Sequence, residues 1–256
     1  MTTNSNPSTT TGGEPDELIL SVVMPAFNEA HVVGEAIDAV VGVLTAHAIG
    51  FEVIVVSDGS TDDTADAART RASESVSVVE YTANRGKGNA LTQGSLLARG
   101  RWVAWIDADL DLDAALLPEY LAAAEDGGLD AIIGSKRHPG SIVDYPRSRR
   151  MGSVAYQTLV RILFGLHVRD TQVGLKLFRR EVLAAVLPKV LVKQYAFDLE
   201  VLALARHFGF SRIEEGPVVI RYQFSGSGVD VRAITRALWD TAAVFYRMRI
   251  LRYYDR

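Results

Sequence analysis

The sequence predicts an α/β protein with a central, mainly parallel sheet flanked by helices. From Leu18 onward, short and almost continuous apolar runs alternate with helical patterns, and polar or glycine-bearing turns follow each run. Strands that are apolar on both faces are typical of parallel sheets covered by helices on both sides. The 256 residues, of which 48% are hydrophobic and 23% charged, suffice for one large core and exclude wholesale disorder.

The predicted elements follow in chain order. Four strands in the first half are LILSVVM, FEVIVVS, VSVVEY and RWVAWID, separated by helical patterns over 30–48, 62–73 and 88–99. The second half is less regular: it predicts a strand over 129–134, a basic loop over 135–150, helices over 151–165 and 197–209, a strand near 213–221 and a helix over 229–253.

Several classes of protein are disfavoured by composition. The absence of cysteine excludes a disulfide framework, a thiolate zinc site and a thiol nucleophile. Residues 1–17 are polar, lack the apolar core of a secretory signal, and are expected to be a disordered tail. No uncharged run approaches the roughly 20 residues of a membrane-spanning helix, so a cytosolic or membrane-surface protein is expected.

The charge is distributed unevenly along the chain. Residues 1–145 contain 8 Lys/Arg and 22 Asp/Glu, whereas residues 146–256 contain 19 Lys/Arg and 9 Asp/Glu. The net charge of the whole chain, −4, conceals this difference. The asymmetry indicates two surfaces with different roles, one of them facing anions, although solvated helix faces that differ by chance would give the same counts.

Polar residues concentrate where the predicted strands end. PAFNE follows the first strand, DGSTDD the second, NRGKG the third and DADLDLD the fourth. Parallel strands bring their carboxyl ends to one edge of the sheet, where such folds bind ligands. We therefore expect these four loops to form one site.

The fourth loop carries four closely spaced carboxylates. Asp107, Asp109, Asp111 and Asp113 would repel one another unless they bound a cation, and oxygen ligands suit Mg²⁺ or Mn²⁺. Acids also favour a helix N-terminus, which is an equally good explanation of the motif alone. Asp107 and Asp109 are the better metal ligands, Asp111 is open to either role, and Asp113 is expected to serve the following helix.

The second and third loops carry candidate nucleotide contacts. Asp58 at a strand end could accept hydrogen bonds from a nucleobase or ribose, although an ordinary Asp-Gly turn with Gly59 is the simpler explanation. Arg85 and Lys87 alternate with glycines that allow backbone N–H groups to approach an anion. The spacing matches neither the Rossmann fingerprint nor a P-loop.

Together these loops resemble those of family 2 glycosyltransferases with the GT-A (nucleotide-diphospho-sugar transferase) fold. The residues that carry the resemblance are Pro25, Ala26, Asn28 and Glu29, then Asp58, Gly59, Ser60 and Asp62, then 84–88, and finally Asp107, Ala108 and Asp109.

The second half narrows the resemblance to the dolichyl- or polyprenyl-phosphate hexosyltransferases, and within them to the glucosyl-type branch. It rests on GSKR at 134–137, Arg149 with Ser153, DTQVGLKLFRR at 170–180 and YAFDLE at 195–200. The family often has a lysine after a Gly-Ser pair, where this chain has Gly226, Ser227 and Gly228. Arg221 or Arg232 could substitute for it.

This resemblance implies a catalytic domain over 18–228, with a nucleotide and metal half at 18–135 and an acceptor half at 136–228. A basic amphipathic helix over 229–256 follows. The implied reaction is inverting transfer of a hexose from a nucleotide diphosphate sugar to a polyprenyl or dolichyl monophosphate. A UDP-hexose is the favoured donor and GDP-mannose is an open alternative.

The resemblance also implies roles for particular residues. Asp109 and Arg149 are the implied catalytic residues. Mg²⁺ or Mn²⁺ on Asp107, Asp109 and Asp111 stabilises the leaving diphosphate, and Lys136, Arg149 and Ser153 hold the acceptor phosphate. Asp170 and Gln172 line the donor sugar pocket or fix the loop beside it. Donor binding falls to Pro25, Ala26, Asn28, Glu29, Asp58, Gly59, Lys87, Asp107, Ala108 and Asp109.

Alternatives remain at this point. A saccharide hydroxyl acceptor would need a general base, for which Asp198 and Glu200 are candidates. A non-enzymatic nucleotide-sugar-binding or scaffold protein would not need the acid cluster. A nucleic-acid partner is not expected, because no recognisable module carries the basic residues.

The arginine-bearing C-terminal helix could lie on a membrane surface, on the domain or on a second subunit, so a homo-oligomer is left open. A lipid acceptor places the enzyme peripherally at the cytoplasmic face of the membrane.

Overall fold

A seven-stranded sheet forms the centre of the computed structural model. The structure describes residues 18–143, 147–193, 196–220 and 231–255, with the backbone alone over 147–155 and 231–234. The predicted tail over 1–17 and the Gly226–Gly228 segment lie outside the described residues.

The strands have the following bounds. The central sheet contains β1 (Leu20–Ala26), β2 (Phe51–Asp58), β3 (Val76–Tyr81), β4 (Trp102–Trp105), β5 (Ala131–Gly134), β7 (Lys176–Arg179) and β8 (Ile213–Gly216), and a two-stranded sheet pairs β6 (Ile142–Val143) with β9 (Val219–Ile220).

The helices occupy both faces of the central sheet. They are α1 (Val33–Ala46), α2 (Thr64–Arg69), α3 (Lys87–Leu97), α4 (Leu116–Asp126), α5 (Arg147–Phe164), α6 (Arg180–Val186), α7 (Phe197–His207) and α8 (Val231–Phe245), with a 3₁₀ turn over Leu187–Lys189, a π-helical turn over Tyr246–Ile250 and a 3₁₀ turn over Tyr253–Asp255. None of the helices in the described ranges combines the length and apolar character needed to cross a bilayer.

The strand order is β3-β2-β1-β4-β7-β5-β8. β1 pairs in parallel with β2 and β4, β2 with β3, and β5 with β8, which confirms the predicted mainly parallel sheet. β7 alone runs antiparallel, inserted between β4 and β5. This insertion brings the segment before β7 to the carboxyl end of β4.

Alternating residues of the strands feed two cores. Val22 and Met24 of β1 pack with α1 and α4 on one face, while Val23 packs with α3 and the later helices on the other. Because both faces are covered, the strands are apolar throughout, as the sequence pattern indicated. Functional groups are therefore confined to the strand ends.

Three predicted elements differ from the structure. The strand expected near 213–221 is divided into β8 and β9, which belong to different sheets. α5 begins at Arg147 rather than near 151, so Arg149 lies on a helix and not in the basic loop. Pro146 immediately precedes this helix in the sequence, and proline is favoured at helix starts because its φ is already helical. The helix expected over 229–253 is α-helical only as far as Phe245. The π-helical turn and a 3₁₀ turn follow it.

Candidate active site

The loops after β1 and β2 are joined by hydrogen bonds. Asn28 Oδ1 accepts a bond from the Thr61 backbone N–H at 2.8 Å, and the Asn28 N–H donates to Ser60 Oγ at 3.2 Å. Asn28 has a φ of 58°, a left-handed conformation that asparagine tolerates better than most residues. The asparagine of the PAFNE motif therefore shapes the loop and holds it against its neighbour.

Asp62 and Thr64 continue this junction. The Glu29 N–H donates to Thr64 Oγ1 at 2.8 Å, and the Ala30 N–H donates to Asp62 Oδ2 at 3.2 Å. The hydrogen bond from the Thr64 hydroxyl is the main cause that lowers the pKa of Asp62. Asp62 thus acts as an ionised anchor of the loop after β1.

Asp58 joins the loop after β2 to the loop after β3. Its side chain is buried, and Oδ1 accepts a bond from the Arg85 N–H at 2.9 Å. Burial, followed by the bond to Asp58, raises the pKa of Tyr81 to about 12. Gly59 has a φ of 67°, and a Cβ there would lie 2.3 Å from the Asn84 backbone nitrogen, so only glycine fits this close approach.

Helix α3 begins with Lys87 directly at the carboxyl edge. Its N-terminal residues follow Gly86, whose φ is 91°. A helix N-terminus presents free backbone N–H groups and a partial positive charge, which suit an anionic group such as a diphosphate. The amino end of α3 and the Lys87 side chain therefore place positive charge on one side of the site.

Lys87 pairs with the first acid of the DADLDLD loop. Its Nζ lies 2.5 Å from Asp107 Oδ1 and 2.7 Å from Oδ2. Loss of solvent lowers the pKa of Lys87, but the nearby carboxylates of Asp107 and Asp198 outweigh that effect, so the pKa lies above its usual value. Lys87 therefore stays protonated, and its ammonium group lies against Asp107.

Asp109 lies in an environment that disfavours its charge. Burial and the negative charge of Asp107 raise its pKa to about 6, although it accepts a bond from the Asp111 N–H at 3.0 Å. Burial and Asp107 also raise the pKa of Asp111. Asp113 instead accepts a bond from the Ala115 N–H at 2.9 Å, next to the start of α4.

The donor set of this acid loop fits a hard divalent cation that is shared with a ligand. Carboxylate oxygens are the preferred ligands of such ions, and the mutual repulsion of Asp107 and Asp109 is relieved by a cation. Within the described ranges no three acidic, histidine or cysteine side chains are arranged to hold a metal by themselves. Two carboxylates completed by oxygens of a bound diphosphate match the way Mg²⁺ is commonly held.

The DTQVG segment closes the site behind Asp107. A Cβ on Gly174 would lie 2.0 Å from Asp107 Oδ2, so the absence of a side chain at Gly174 allows Asp107 its position. Buried Asp170 accepts bonds from the backbone N–H groups of Gln172 at 3.1 Å and Lys136 at 3.4 Å, which fixes the segment. Gln172 is exposed.

Asp198 forms a salt bridge beneath this segment. Its Oδ1 lies 2.7 Å from Nζ of Lys176, a lysine that is 2% exposed and also donates to the Val173 carbonyl at 2.5 Å. Because Asp198 also raises the pKa of Lys87, the carboxylate connects the two lysines electrostatically.

Glu200 is a structural acid. It is fully buried; Oε2 accepts bonds from the backbone N–H groups of Leu191 and Val192, and Oε1 accepts bonds from Arg247 and the Tyr254 hydroxyl. It therefore fastens the C-terminal segment to the loop before α7. That loop in turn contacts the start of α3, where the Gly88 N–H donates to the Lys193 carbonyl at 3.2 Å.

The predicted acceptor residues are only partly described. Lys136 borders the acid loop, because its charge partly offsets the burial and the Asp107 charge that raise the pKa of Asp111. Arg149 and Ser153 lie on α5 four residues apart, but their side chains lie outside the description. Gln157 follows at the same spacing, and its buried Oε1 has no hydrogen-bond partner among the described residues.

The structure thus brings together most of the predicted donor-site residues at one edge of the sheet. Sequence reasoning assigned no role to Gly174, Lys176 or Gln157, although the first two lie within the DTQVGLKLFRR segment that carries the resemblance. The glycine within DTQVG was a visible signal for the first. A lysine inside an apolar strand was a signal for the second, whereas an unpaired amide oxygen has no signature in sequence.

The mainly parallel sheet with helices on both faces is the GT-A fold. Glucosyl-3-phosphoglycerate synthase from Mycobacterium tuberculosis, solved in complex with Mn²⁺, UDP-glucose and phosphoglyceric acid, is similar with a TM-score of 0.66 at 21% identity, over 90% of this chain and 79% of that one. Mannosyl-3-phosphoglycerate synthase from Rubrobacter xylanophilus is similar with a TM-score of 0.69 at 20% identity, over 93% and 76%. This likeness concerns the fold.

The chain belongs to glycosyl transferase family 2, whose model matches residues 21–187. Among curated relatives, the glycosyltransferase AglD of Haloferax volcanii is 36% identical over 78% of this chain and 32% of its own length. Dolichyl-phosphate beta-glucosyltransferase of Drosophila melanogaster is 36% identical over 74% of this chain and 63% of its own length. Undecaprenyl-phosphate mannosyltransferase of Micrococcus luteus is 32% identical over 89% of this chain and 96% of its own length.

The chain therefore spans about a third of the archaeal relative and just under two thirds of the insect one, but nearly all of the bacterial one. The family resemblance expected from the sequence is confirmed.

Proposed function

We propose that the protein is an inverting hexosyltransferase. It moves a sugar from a nucleotide diphosphate donor, with a UDP-hexose favoured, to a polyprenyl or dolichyl monophosphate. The observation that carries the proposal is the meeting of Lys87, the amino end of α3 and the acid pair Asp107 and Asp109 at one sheet edge. Relatives named as dolichyl- and undecaprenyl-phosphate sugar transferases support the lipid acceptor.

In this proposal the donor lies along the carboxyl edge. The loop after β1 and Asp58 border the nucleoside, and Lys87 with the α3 amino end receives the diphosphate. Asp107 and Asp109 would hold Mg²⁺ or Mn²⁺, and a neighbour of the same fold was solved with Mn²⁺. When bound, such an ion stabilises the charge that develops on the leaving diphosphate.

The acceptor needs cations rather than a base. A phosphate monoester has a second pKa near 6 and is largely ionised at neutral pH, so it can attack the anomeric carbon directly. Lys136, Arg149 and Ser153 are the proposed contacts of this phosphate. The two carboxylates that could act as a base have other partners: Asp198 pairs with Lys176, and Glu200 is buried with four hydrogen bonds.

We place the enzyme peripherally at the cytoplasmic face of a membrane, where a lipid-linked phosphate is accessible.

The test is a panel of nucleotide sugars, UDP-glucose, UDP-N-acetylhexosamines and GDP-mannose, each with Mg²⁺ or Mn²⁺ and a polyprenyl phosphate. Mass spectrometry of the lipid product reads the transfer. Arg149→Ala is expected to abolish the acceptor step while nucleotide binding persists. Transfer to a free glycan, with none to any lipid phosphate, would contradict the proposal and favour a hydroxyl-acceptor enzyme, in which Asp198→Asn abolishes turnover.

A further inference from the structure

The C-terminal helix has two different apolar faces. Thr241, Val244 and Met248 are at most 7% exposed and pack on the domain. Trp239 and Tyr246 lie seven residues apart on the other side of the helix and are 78% and 51% exposed. The outward apolar face comprises Leu238, Trp239, Tyr246, Ile250 and Leu251, each at least 43% exposed.

The inward face is attached to the domain by polar and aromatic contacts. Arg247 pairs with buried Glu200 at 3.0 Å, and Tyr254 is 3% exposed. The ring centroids of Phe245 and Phe164 lie 6.2 Å apart. The helix is therefore docked, with its tryptophan directed away from the protein.

Among the described side chains of the segment 235–255, arginines flank the outward apolar face. Arg236, Arg249 and Arg252 are exposed beside it. The acids of the same segment lie elsewhere: Asp255 pairs with His207 at 2.6 Å, and burial raises the pKa of Asp240, which lies near Arg247 and Glu200 on the inward side. A surface that combines exposed aromatic and aliphatic side chains with arginines is complementary to an anionic bilayer interface.

The position of this helix relates the surface to the proposed acceptor. α8 packs against α5, with the Tyr156 hydroxyl 2.9 Å from Thr241 Oγ1. α5 carries Arg149 and Ser153, the proposed contacts of the lipid phosphate. A bilayer that contacts α8 would therefore present lipid headgroups next to the acceptor helix.

We propose that the outward apolar face and its flanking arginines dock the protein on the surface of an anionic lipid bilayer. The reason for docking rests on the proposed function, because it assumes a lipid acceptor. The docking itself can be measured without any sugar transfer. Trp239 and Tyr246 insert at headgroup level, and the arginines contact lipid phosphates.

Tryptophan fluorescence tests the proposal in the unaltered protein. Of the three tryptophans, Trp102 and Trp105 are at most 2% exposed, so changes in solvent exposure report on Trp239. Vesicles of phosphatidylcholine with about 30% phosphatidylglycerol should shift the emission to the blue, and brominated lipids should quench it. Trp239→Phe should abolish both signals while the protein still floats with vesicles.

Vesicle flotation supplies the matched comparison. The triple variant Trp239→Ala, Tyr246→Ala, Ile250→Ala should bind vesicles at least about tenfold more weakly. Leu96→Ala with Leu97→Ala, which removes exposed leucines of α3, should bind like the unaltered protein. Replacing Arg236, Arg249 and Arg252 by glutamine should remove most of the salt dependence.

Three results would overturn the inference: no spectral shift with anionic vesicles, equal binding by the triple and control variants, or a dimer that Trp239→Ala dissociates. The vesicles contain no polyprenyl phosphate, and transfer to a short, water-soluble polyprenyl phosphate is assayed without vesicles. Loss of docking with retained transfer therefore concerns this surface alone, and loss of transfer with retained docking concerns the proposed function.

Discussion

The ammonium of Lys87 contacts the carboxylate of Asp107, with Nζ 2.5 Å from Oδ1. The pair connects the start of α3 to the acid loop after β4, two elements that are 20 residues apart in sequence. It also places a cation that stays protonated next to the acids that are proposed to share a metal with the donor. The consequences of this arrangement are testable residue by residue.

Lys87→Ala should lower kcat/KM for the nucleotide sugar roughly tenfold to hundredfold, because a charge-assisted hydrogen bond to the diphosphate is lost. Steady-state kinetics with the donor found active measure this. Arg71→Ala is the matched control, since Arg71 pairs with Asp38 at 3.0 Å rather than with the acid loop. Equal effects of the two substitutions would contradict a specific role for Lys87.

Asp107→Asn and Asp109→Asn should each weaken Mn²⁺ binding in the presence of uridine diphosphate by at least about tenfold, because each removes a charged oxygen ligand. Electron paramagnetic resonance of free Mn²⁺ measures the affinity. Asp113→Asn should leave it unchanged, as Asp113 binds the backbone of Ala115. Retained Mn²⁺ affinity in both site variants would place the metal elsewhere.

Gly174→Ala should reduce turnover about a hundredfold, because the new methyl group would overlap Asp107 Oδ2 and displace the carboxylate. The comparison is Gly42→Ala in α1, where an added Cβ meets no atom within 4 Å. That substitution should keep full activity and raise the free energy of unfolding by about 0.5–1 kcal/mol. Full activity of Gly174→Ala would show that the close approach is not required.

The meeting of the four loops could be predicted because parallel strands end at one edge of the sheet. Loops at Asn28, Asp58, Lys87 and Asp107 had to meet there, whatever the details of packing. The contact between Gly174 and Asp107 could not be predicted this way. It depends on β7 pairing antiparallel with β4, whose residues are more than 70 positions away, and no local pattern specifies that pairing.

The acids of YAFDLE show a second limit. Their spacing at a helix start fits a catalytic base, a salt bridge or a structural anchor equally well, because all three use the same carboxylate. Only the tertiary partners separate these roles, and those partners, Lys176 for Asp198 and Arg247 for Glu200, come from distant segments.

Glu200→Gln should destabilise the protein and spare the chemistry. The substitution removes the charge that compensates Arg247, whose side chain is 21% exposed, and weakens the bonds to Leu191 and Val192. Breaking such a buried pair costs roughly 3–5 kcal/mol, which denaturant unfolding would detect.

Glu181→Gln, which removes an exposed carboxylate 3.9 Å from half-buried Arg179, should cost less than about 1 kcal/mol. Turnover by the folded fraction of Glu200→Gln should stay within a few fold of normal, since a phosphate acceptor needs no base. Unchanged stability with abolished turnover would instead identify Glu200 as a catalytic base and favour a hydroxyl acceptor.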